Sequence, residues 1–260
     1  MGRPILFFDF DDTISDHSKH LESFTAAFGG EMAMLNRGTA AEWSSAISLL
    51  LKELELLYIT RFCNGNPEGY GDWIKNMRSD FIKRLYHKMR MPLSSEAYDM
   101  ARRSERNALH SCEALFPGMK NVLINLHELG YPLHLASGNH SEYLKAALAG
   151  AGLTDKIGIL FGPDLIDYAK EGSEYYSRLF KQADVAAQHA IVIDNDPMAL
   201  KWAQDAGAFT IQVHLLPHKP IHKAPGTFAL ITDPAEILPV IQNILFAQSA
   251  PSPGGKQLSF

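Results

Sequence analysis

The chain has little cysteine, no long apolar run and no excess of basic residues. Its two cysteines, Cys63 and Cys112, lie far apart in 260 residues. They lack any metal-ligand spacing, and a reducing intracellular setting is the simplest reading. No stretch approaches the roughly 18 apolar residues expected of a membrane span. The apolar opening Pro4-Ile5-Leu6-Phe7-Phe8 is cut by Asp9 and no small-residue cleavage site follows, so it does not read as a signal peptide. Gly2 does not read as an acylation site, because Leu6 stands where Ser or Thr is required. Lys and Arg number 24 against 29 Asp and Glu, which gives a formal charge of -5 and argues against a nucleic-acid surface. The expectation is a cytoplasmic protein with neither membrane nor nucleic-acid partner. With 46% hydrophobic and 20% charged residues, the rest of the composition is that of a globular chain of one or two domains.

Short apolar runs that end in polar or small residues recur along the sequence. They are Ile5 to Phe8 before Asp9, Tyr131 to Ala136 before Ser137-Gly138-Asn139, Ile157 to Phe161 before Gly162, and Ala190 to Ile193 before Asp194. Thr210 to Val213 and Phe228 to Ile231 add two more. Runs of this kind read as strands buried on both faces of a parallel sheet. Helical patterns lie between them. Gly118 to Leu129 puts Val122, Leu123, Leu126 and Leu129 on one face, Ser173 stands as an N-cap, and Asp196-Pro197 pairs an N-cap with a first-turn proline. Alternating strand and helix predicts an α/β, doubly wound, Rossmann-like parallel sheet core.

One connection is far too long. About a hundred residues separate the first strand from the helix near Gly118, where about 2–6 are usual. That insert is helical in pattern. Thr39-Ala40-Ala41-Glu42 is a capping box before Trp43, Ile47, Leu50, Leu51, Leu54 and Tyr58. After a glycine-rich break at 64–71, Asp72 opens a second helix that Pro92 ends, and a third runs from about Ser95 to Leu109. The predicted organisation is a core of residues 1–15 and 113–248, an inserted all-helical domain of 16–112, and a disordered tail of 249–260. Arg102, Arg103 and Arg106 read as a solvated helix face, and the glycine-rich break with Tyr70, Asp72 and Trp73 as an interhelical loop.

Asp9-Phe10-Asp11-Asp12-Thr13 follows the first strand directly, at the sheet edge where ligands of parallel sheets gather. Three acids in four residues repel one another unless a cation shares them, and a hard divalent ion such as magnesium suits oxygen ligands. An acidic, N-capping turn would use the same residue types.

Further motifs in a fixed order bear on that choice. Phe7 to Ile14, Leu135-Ala136-Ser137-Gly138-Asn139 with its Phe116-Pro117-Gly118 lead-in, Lys170, and Ile191 to Pro197 running on to Ala206-Gly207 together resemble the four motifs of the haloacid dehalogenase superfamily. The resemblance implies that Asp9 is a nucleophile and Asp11 a general acid and base. It implies that Ser137 and Lys170 bind the transferring phosphoryl group, with Thr13, Gly138 and Asn139 beside it. It also implies that Asp9, the backbone carbonyl of Asp11, Asp194 and Asn195 surround Mg2+. Each role is chemically sensible, since a carboxylate can form an aspartyl phosphate and phosphoryl transfer is mainly positioning plus electrostatics. The sequence departs from the family pattern at Asp12, where glycine is common, at Asn195, where a second acid is common, and at Glu171, where proline often follows the lysine.

The histidines read more plainly. His214, His218 and His222 are spaced by fours, but Pro217 and Pro220 make their segment an exposed loop. His17 and His140 flank the presumed site and read as ordinary surface or core residues.

Family dehalogenases and phosphonate-cleaving enzymes carry other residues two positions after the nucleophile, so Asp11 counts against both chemistries. A magnesium-dependent phosphatase acting on a small phosphorylated metabolite leads, with phosphoglycolate-like acids, sugar phosphates and nucleotides as candidates. A sugar-phosphate mutase of the same fold is the alternative, and a non-catalytic regulator that keeps the fold is the alternative from another class.

Overall fold

The structure is a computed structural model that describes residues 3–249. Six strands form one parallel sheet: β1 (Ile5–Phe8), β2 (Leu133–Ala136), β3 (Leu160–Phe161), β4 (Ala190–Asp194), β5 (Phe209–Val213) and β6 (Ala229–Ile231). Their order is β3-β2-β1-β4-β5-β6. The chain therefore steps outward from β1 on one side, then returns to its other side at β4. Loops leaving β1, β2 and β4 diverge at that switch, which opens a crevice at the carboxyl ends of the strands.

Side chains alternate across the strands as pleating requires. Leu6, Phe8, Ile191 and Ile193 enter the apolar layer on one face, while Phe7, Ala190 and Val192 enter the layer on the other. The first layer is covered by α5 (Met119–Glu128) through Leu123 and Leu126, by α6 (Ser141–Ala151) through Leu144 and Leu148, and by α10 (Ile237–Ser249) through Ile241 and Ile244. The second is covered by α8 (Ser173–Gln182) and α9 (Pro197–Asp205). Sequence and structure differ by one residue at α8: Gly172 is the N-cap, and Ser173 is the first helical residue without a capping bond. The short helix α7 (Pro163–Ile166) follows β3.

The long insert holds α1 (His17–Leu35), α2 (Ala40–Tyr58), α3 (Tyr70–Lys88) and α4 (Ser95–His110). The Thr39–Glu42 capping box forms in both directions. These helices share an apolar cluster in which Phe28, Trp43, Ile47, Ile82 and Leu85 are buried. The sequence reading missed α1. Its signal was present in Asp16, whose side chain accepts the Lys19 backbone N–H at 3.1 Å, and in Phe24, Phe28 and Met32 spaced by fours. Gly29-Gly30 masked it, since paired glycines lower helix propensity. Gly29 is required where α1 meets α2, because a Cβ there would lie 2.1 Å from Ser44 Oγ.

A π-helical turn, Ile59–Cys63, leads from α2 into the glycine-rich break. That break is more than an interhelical loop. Ala169 N–H donates to the Pro67 carbonyl at 2.8 Å, Gly71 N–H donates to Asp167 Oδ1 at 3.0 Å, and Arg178 pairs with Glu68 at 2.8 Å. Tyr70 is buried beside Phe62 and Ala169 rather than exposed. The insert is thereby stitched to the core segment that carries Lys170. Arg102 also departs from expectation: it is largely buried and ion-paired with Glu105 rather than solvated. Of the tail expected at 249–260, Ser249 closes α10 and the remainder lies outside the described residues.

Candidate active site

Asp9 is placed by β1 and its pairing. Phe8 is in register with Ile193 and Leu135, and Asp9 N–H donates to the Ile193 carbonyl at 2.9 Å. The Asp9 carboxyl therefore emerges beside that of Asp194 at the end of β4. Lys170 lies between them, with Nζ 2.8 Å from Asp9 Oδ1 and 2.7 Å from Asp194 Oδ2. All three are almost wholly buried. Burial pushes the Asp9 carboxyl up, and Asp194's charge adds to this while Lys170 opposes it. Burial likewise raises Asp194 against Lys170. For Lys170, burial works against the ammonium, but Asp194 and Asp9 outweigh it and hold the proton firmly. The arrangement is two carboxylates sharing one buried cation.

The turn after Asp9 is tight. Asp12 adopts φ 55, a left-handed conformation that explains why glycine is common at that place in the family. Asp12 compensates with its side chain: Oδ1 accepts the His17 backbone N–H at 3.0 Å, and Oδ2 meets Lys219 Nζ at 2.8 Å. The Asp11 carboxylate accepts Asn139 Nδ2 at 2.7 Å through Oδ2, which also lies 3.3 Å from His17 Nδ1. Hydrogen bonding to Asp11 raises the His17 pKa, though burial opposes it. His17 is thus a member of the site, contrary to the plain reading. The other Asp11 oxygen, Oδ1, is buried without a partner among the described residues. An orphaned buried oxygen is a place for a proton, a water or a substrate group.

Ser137 follows β2 directly and is buried, and its Oγ accepts the Asn139 backbone N–H at 3.2 Å. Tyr175, which the sequence reading did not single out, locks that turn through its hydroxyl, which lies 3.1 Å from the Ser137 carbonyl and 2.7 Å from that of Phe161. Ser137 and Gly138 line a cavity of about 340 Å³ with Asp9, Asp11, Lys170, Asp194 and Asn195. Thr13 does not line it. Its hydroxyl donates to Asn195 Oδ1 at 3.1 Å, a bond that orients Asn195. Asn139 is likewise outside the lining and acts through Asp11. Asp196 caps α9 by accepting Met198 N–H at 2.9 Å, as its sequence context suggested, and also borders the cavity.

The cavity wall also holds Tyr58 from the insert and Glu171 from the core, neither of them expected there. His140 turns inward instead, its Nδ1 accepting the Tyr143 N–H at 3.1 Å. The 214–222 segment is an irregular loop, as its prolines required.

Among the described residues, no three His, Cys, Asp or Glu side chains converge as a metal-binding group. Two buried carboxylates, Asp9 and Asp194, do stand together, and Asp11 and the Asn195 amide line the same cavity. This all-oxygen set fits magnesium, which keeps several waters and needs only one or two carboxylates. The observation that supports the fit is geometric: one cation, Lys170 Nζ, already reaches a carboxylate oxygen of Asp9 at 2.8 Å and of Asp194 at 2.7 Å, so the two buried acids stand close enough to share a positive charge.

A sheet with this strand order, acids at the switch point and a lysine bridging them defines a class of Rossmann-like hydrolases with a helical insert. The family model described as haloacid dehalogenase-like hydrolase matches residues 4–207, and the chain belongs to that family. Solved structures agree on the fold. A haloacid dehalogenase-like hydrolase, YfnB from Bacillus subtilis, bound to magnesium, is 18% identical, with 93% of this chain and 99% of that one covered and a TM-score of 0.59. The 2-haloacid dehalogenase of Pseudomonas syringae pv. Tomato DC3000 is 20% identical over 93% of this chain and 99% of its own, with a TM-score of 0.63. The L-2-haloacid dehalogenase RSc1362 is 20% identical over 93% and 100%, with a TM-score of 0.60. No curated protein matches the chain.

Proposed function

We propose that this hydrolase is a magnesium-dependent phosphatase acting on a small phosphorylated metabolite through an aspartyl phosphate on Asp9. The observation that carries the reading is Asp11: a second carboxyl beside the nucleophile, held by Asn139 and His17, with a buried oxygen left unpartnered. The similar dehalogenases define the fold, and at such low identity they leave the chemistry open.

In the first step an Asp9 oxygen attacks phosphorus and the bond to the leaving oxygen breaks. Protonated Asp11 delivers its proton to that oxygen, and the alcohol departs. In the second step a water attacks the same phosphorus, Asp11 takes its proton, the Asp9–phosphorus bond breaks and inorganic phosphate is released. Such proton transfer typically contributes about 10²–10⁴-fold. Ser137 and the N–H groups of its turn bind phosphoryl oxygens, and Lys170 offsets their charge. Magnesium held by Asp9, Asp194 and the Asp11 carbonyl would supply further charge neutralisation, with Asn195 reaching its water.

The test is release of phosphate from a generic aryl phosphate and a metabolite panel with magnesium, run beside a 2-haloacid. The native chain releases phosphate, and both Asp9→Asn and EDTA abolish it. Activity that survives Asp9→Asn sinks the covalent mechanism. Halide release without phosphate release, undiminished in Asp11→Asn, assigns the chain to the dehalogenases instead. Movement of phosphate between two positions of a sugar phosphate, without net release, identifies a mutase.

A further inference from the structure

Two residues of the cavity wall have no part in the phosphatase chemistry. Tyr58 closes α2 in the insert, and Glu171 follows Lys170 in the core; both line the same cavity as Asp9 and Asp11. They are joined to each other. The Tyr58 hydroxyl donates to Glu171 Oε1 at 2.8 Å, and the Cys63 thiol reaches the same oxygen at 3.4 Å. Glu171 Oε2 accepts from no group among the described residues. The contact lies where the insert is stitched to the core, through Ala169 to Pro67 and Gly71 to Asp167.

Charge and hydrogen-bond direction then set what can fill this side of the cavity. The lining includes Asp9, Asp11, Asp12, Glu171, Asp194 and Asp196, against Lys170 and His17. Lys170 is taken up by Asp9 and Asp194, and His17 faces Asp11. Lys219 pairs with Asp12 from a neighbouring hollow. The insert's interior arginines, Arg78 and Arg102, do not border the cavity, and Arg102 is spent on Glu105. Tyr58 has committed its only proton to Glu171, so it too presents an acceptor. With Lys170 and the magnesium of the phosphatase reading committed to Asp9, Asp194 and the phosphoryl group, a leaving group with its own carboxylate or second phosphate would meet a carboxylate and an acceptor at the Glu171–Tyr58 wall. A leaving group bearing N–H donors and positive charge would find partners.

Resting on the phosphatase reading above, we propose that Glu171 and Tyr58 determine specificity, selecting phosphate monoesters of amino alcohols and rejecting those of hydroxy acids. Of the candidates named from sequence, phosphoglycolate-like acids are thereby disfavoured. Like charge built against the wrong ligand is a common source of such discrimination.

The experiment compares kcat/KM for O-phosphorylethanolamine and phosphoglycolate, with p-nitrophenyl phosphate as a substrate of uncharged leaving group, all with magnesium. The native chain is expected to favour the ammonium ester by about a hundredfold, since setting like charges against one another costs several kcal/mol. Glu171→Gln should cut that ratio at least about tenfold, and Glu171→Lys should invert it. The ratio of two substrates in one preparation cancels any general loss of active enzyme. Equal native values, or a ratio unmoved by Glu171→Gln, overturns the inference while p-nitrophenyl phosphate turnover leaves the phosphatase reading standing. Absence of turnover of all three esters overturns both. Should either variant fail to fold, the native ratio alone still decides.

Discussion

Two ion-pair regions of one site teach different things. At its base, Lys170 sits between Asp9 and Asp194, and the lysine and both acids have at most 9% of their side chains exposed. At its rim, Lys219 meets Asp12 at the same 2.8 Å, but its side chain is 51% exposed. Equal distances do not mean equal energies. A pair in water is screened and loses little when broken, whereas a buried charge without a partner has nowhere to go. The base is therefore a fixed electrostatic device, and the rim is adjustable.

The largest expected effect breaks the base. Lys170→Met should cost about 3–5 kcal/mol in urea unfolding, because Asp9 and Asp194 are left facing one another, and should remove phosphate release. Added magnesium should recover part of that stability by taking the cation's place. A loss no larger than that of a rim substitution would erase the contrast. The insert offers a purely apolar counterpart of similar size: Trp43→Ala, at a position that is 0% exposed, should cost about 3–5 kcal/mol.

A smaller effect sharpens the comparison through pH. Burial, with Arg78 and Arg102 nearby, holds His140 down to about 3. The unfolded chain therefore binds more protons than the native one between that value and the ordinary histidine pKa of about 6.5. The stability His140 contributes is fully present above about 6.5 and is lost as pH falls below it. His140→Asn, which keeps an acceptor for the Tyr143 N–H, should flatten the slope of midpoint against pH by about one proton at most. An unchanged slope would mean that His140 is charged in the native state. The smallest effect belongs to the rim itself, where Lys219→Ala should shift stability by about 0–1 kcal/mol and less still at high salt.

Much of the core was legible because its signals are local. Apolar runs ending in Asp9, Ser137 and Asp194 state both the strand and the place where it stops, and a buried parallel strand needs little else. Thr39 with Glu42 and Asp196 with Pro197 announce helix starts in the same way. The misreadings have a common cause. His17 reads as a surface residue until α1 brings its ring to Asp11, and nothing near Thr13 in sequence announces the Asn195 partner that the turn after β4 supplies. Arg102 has its partner, Glu105, three residues on along α4, and it reads as solvated because the burial of that pair comes only with tertiary packing. Helix α1 itself was hidden by the glycines that let α2 approach it.

By itself the sequence determined which groups can do chemistry here: two acids spaced by two, a serine and a third acid at later strand ends, and one lysine. Spacing along a strand is fixed by backbone geometry, so those placements needed no partner to be read. Only the tertiary structure decided how the charges share one another, with Lys170 set between Asp9 and Asp194. It alone brought Tyr58 and Glu171, 113 residues apart, to one wall. Contacts of that kind depend on how the insert docks on the core, and no local pattern encodes them.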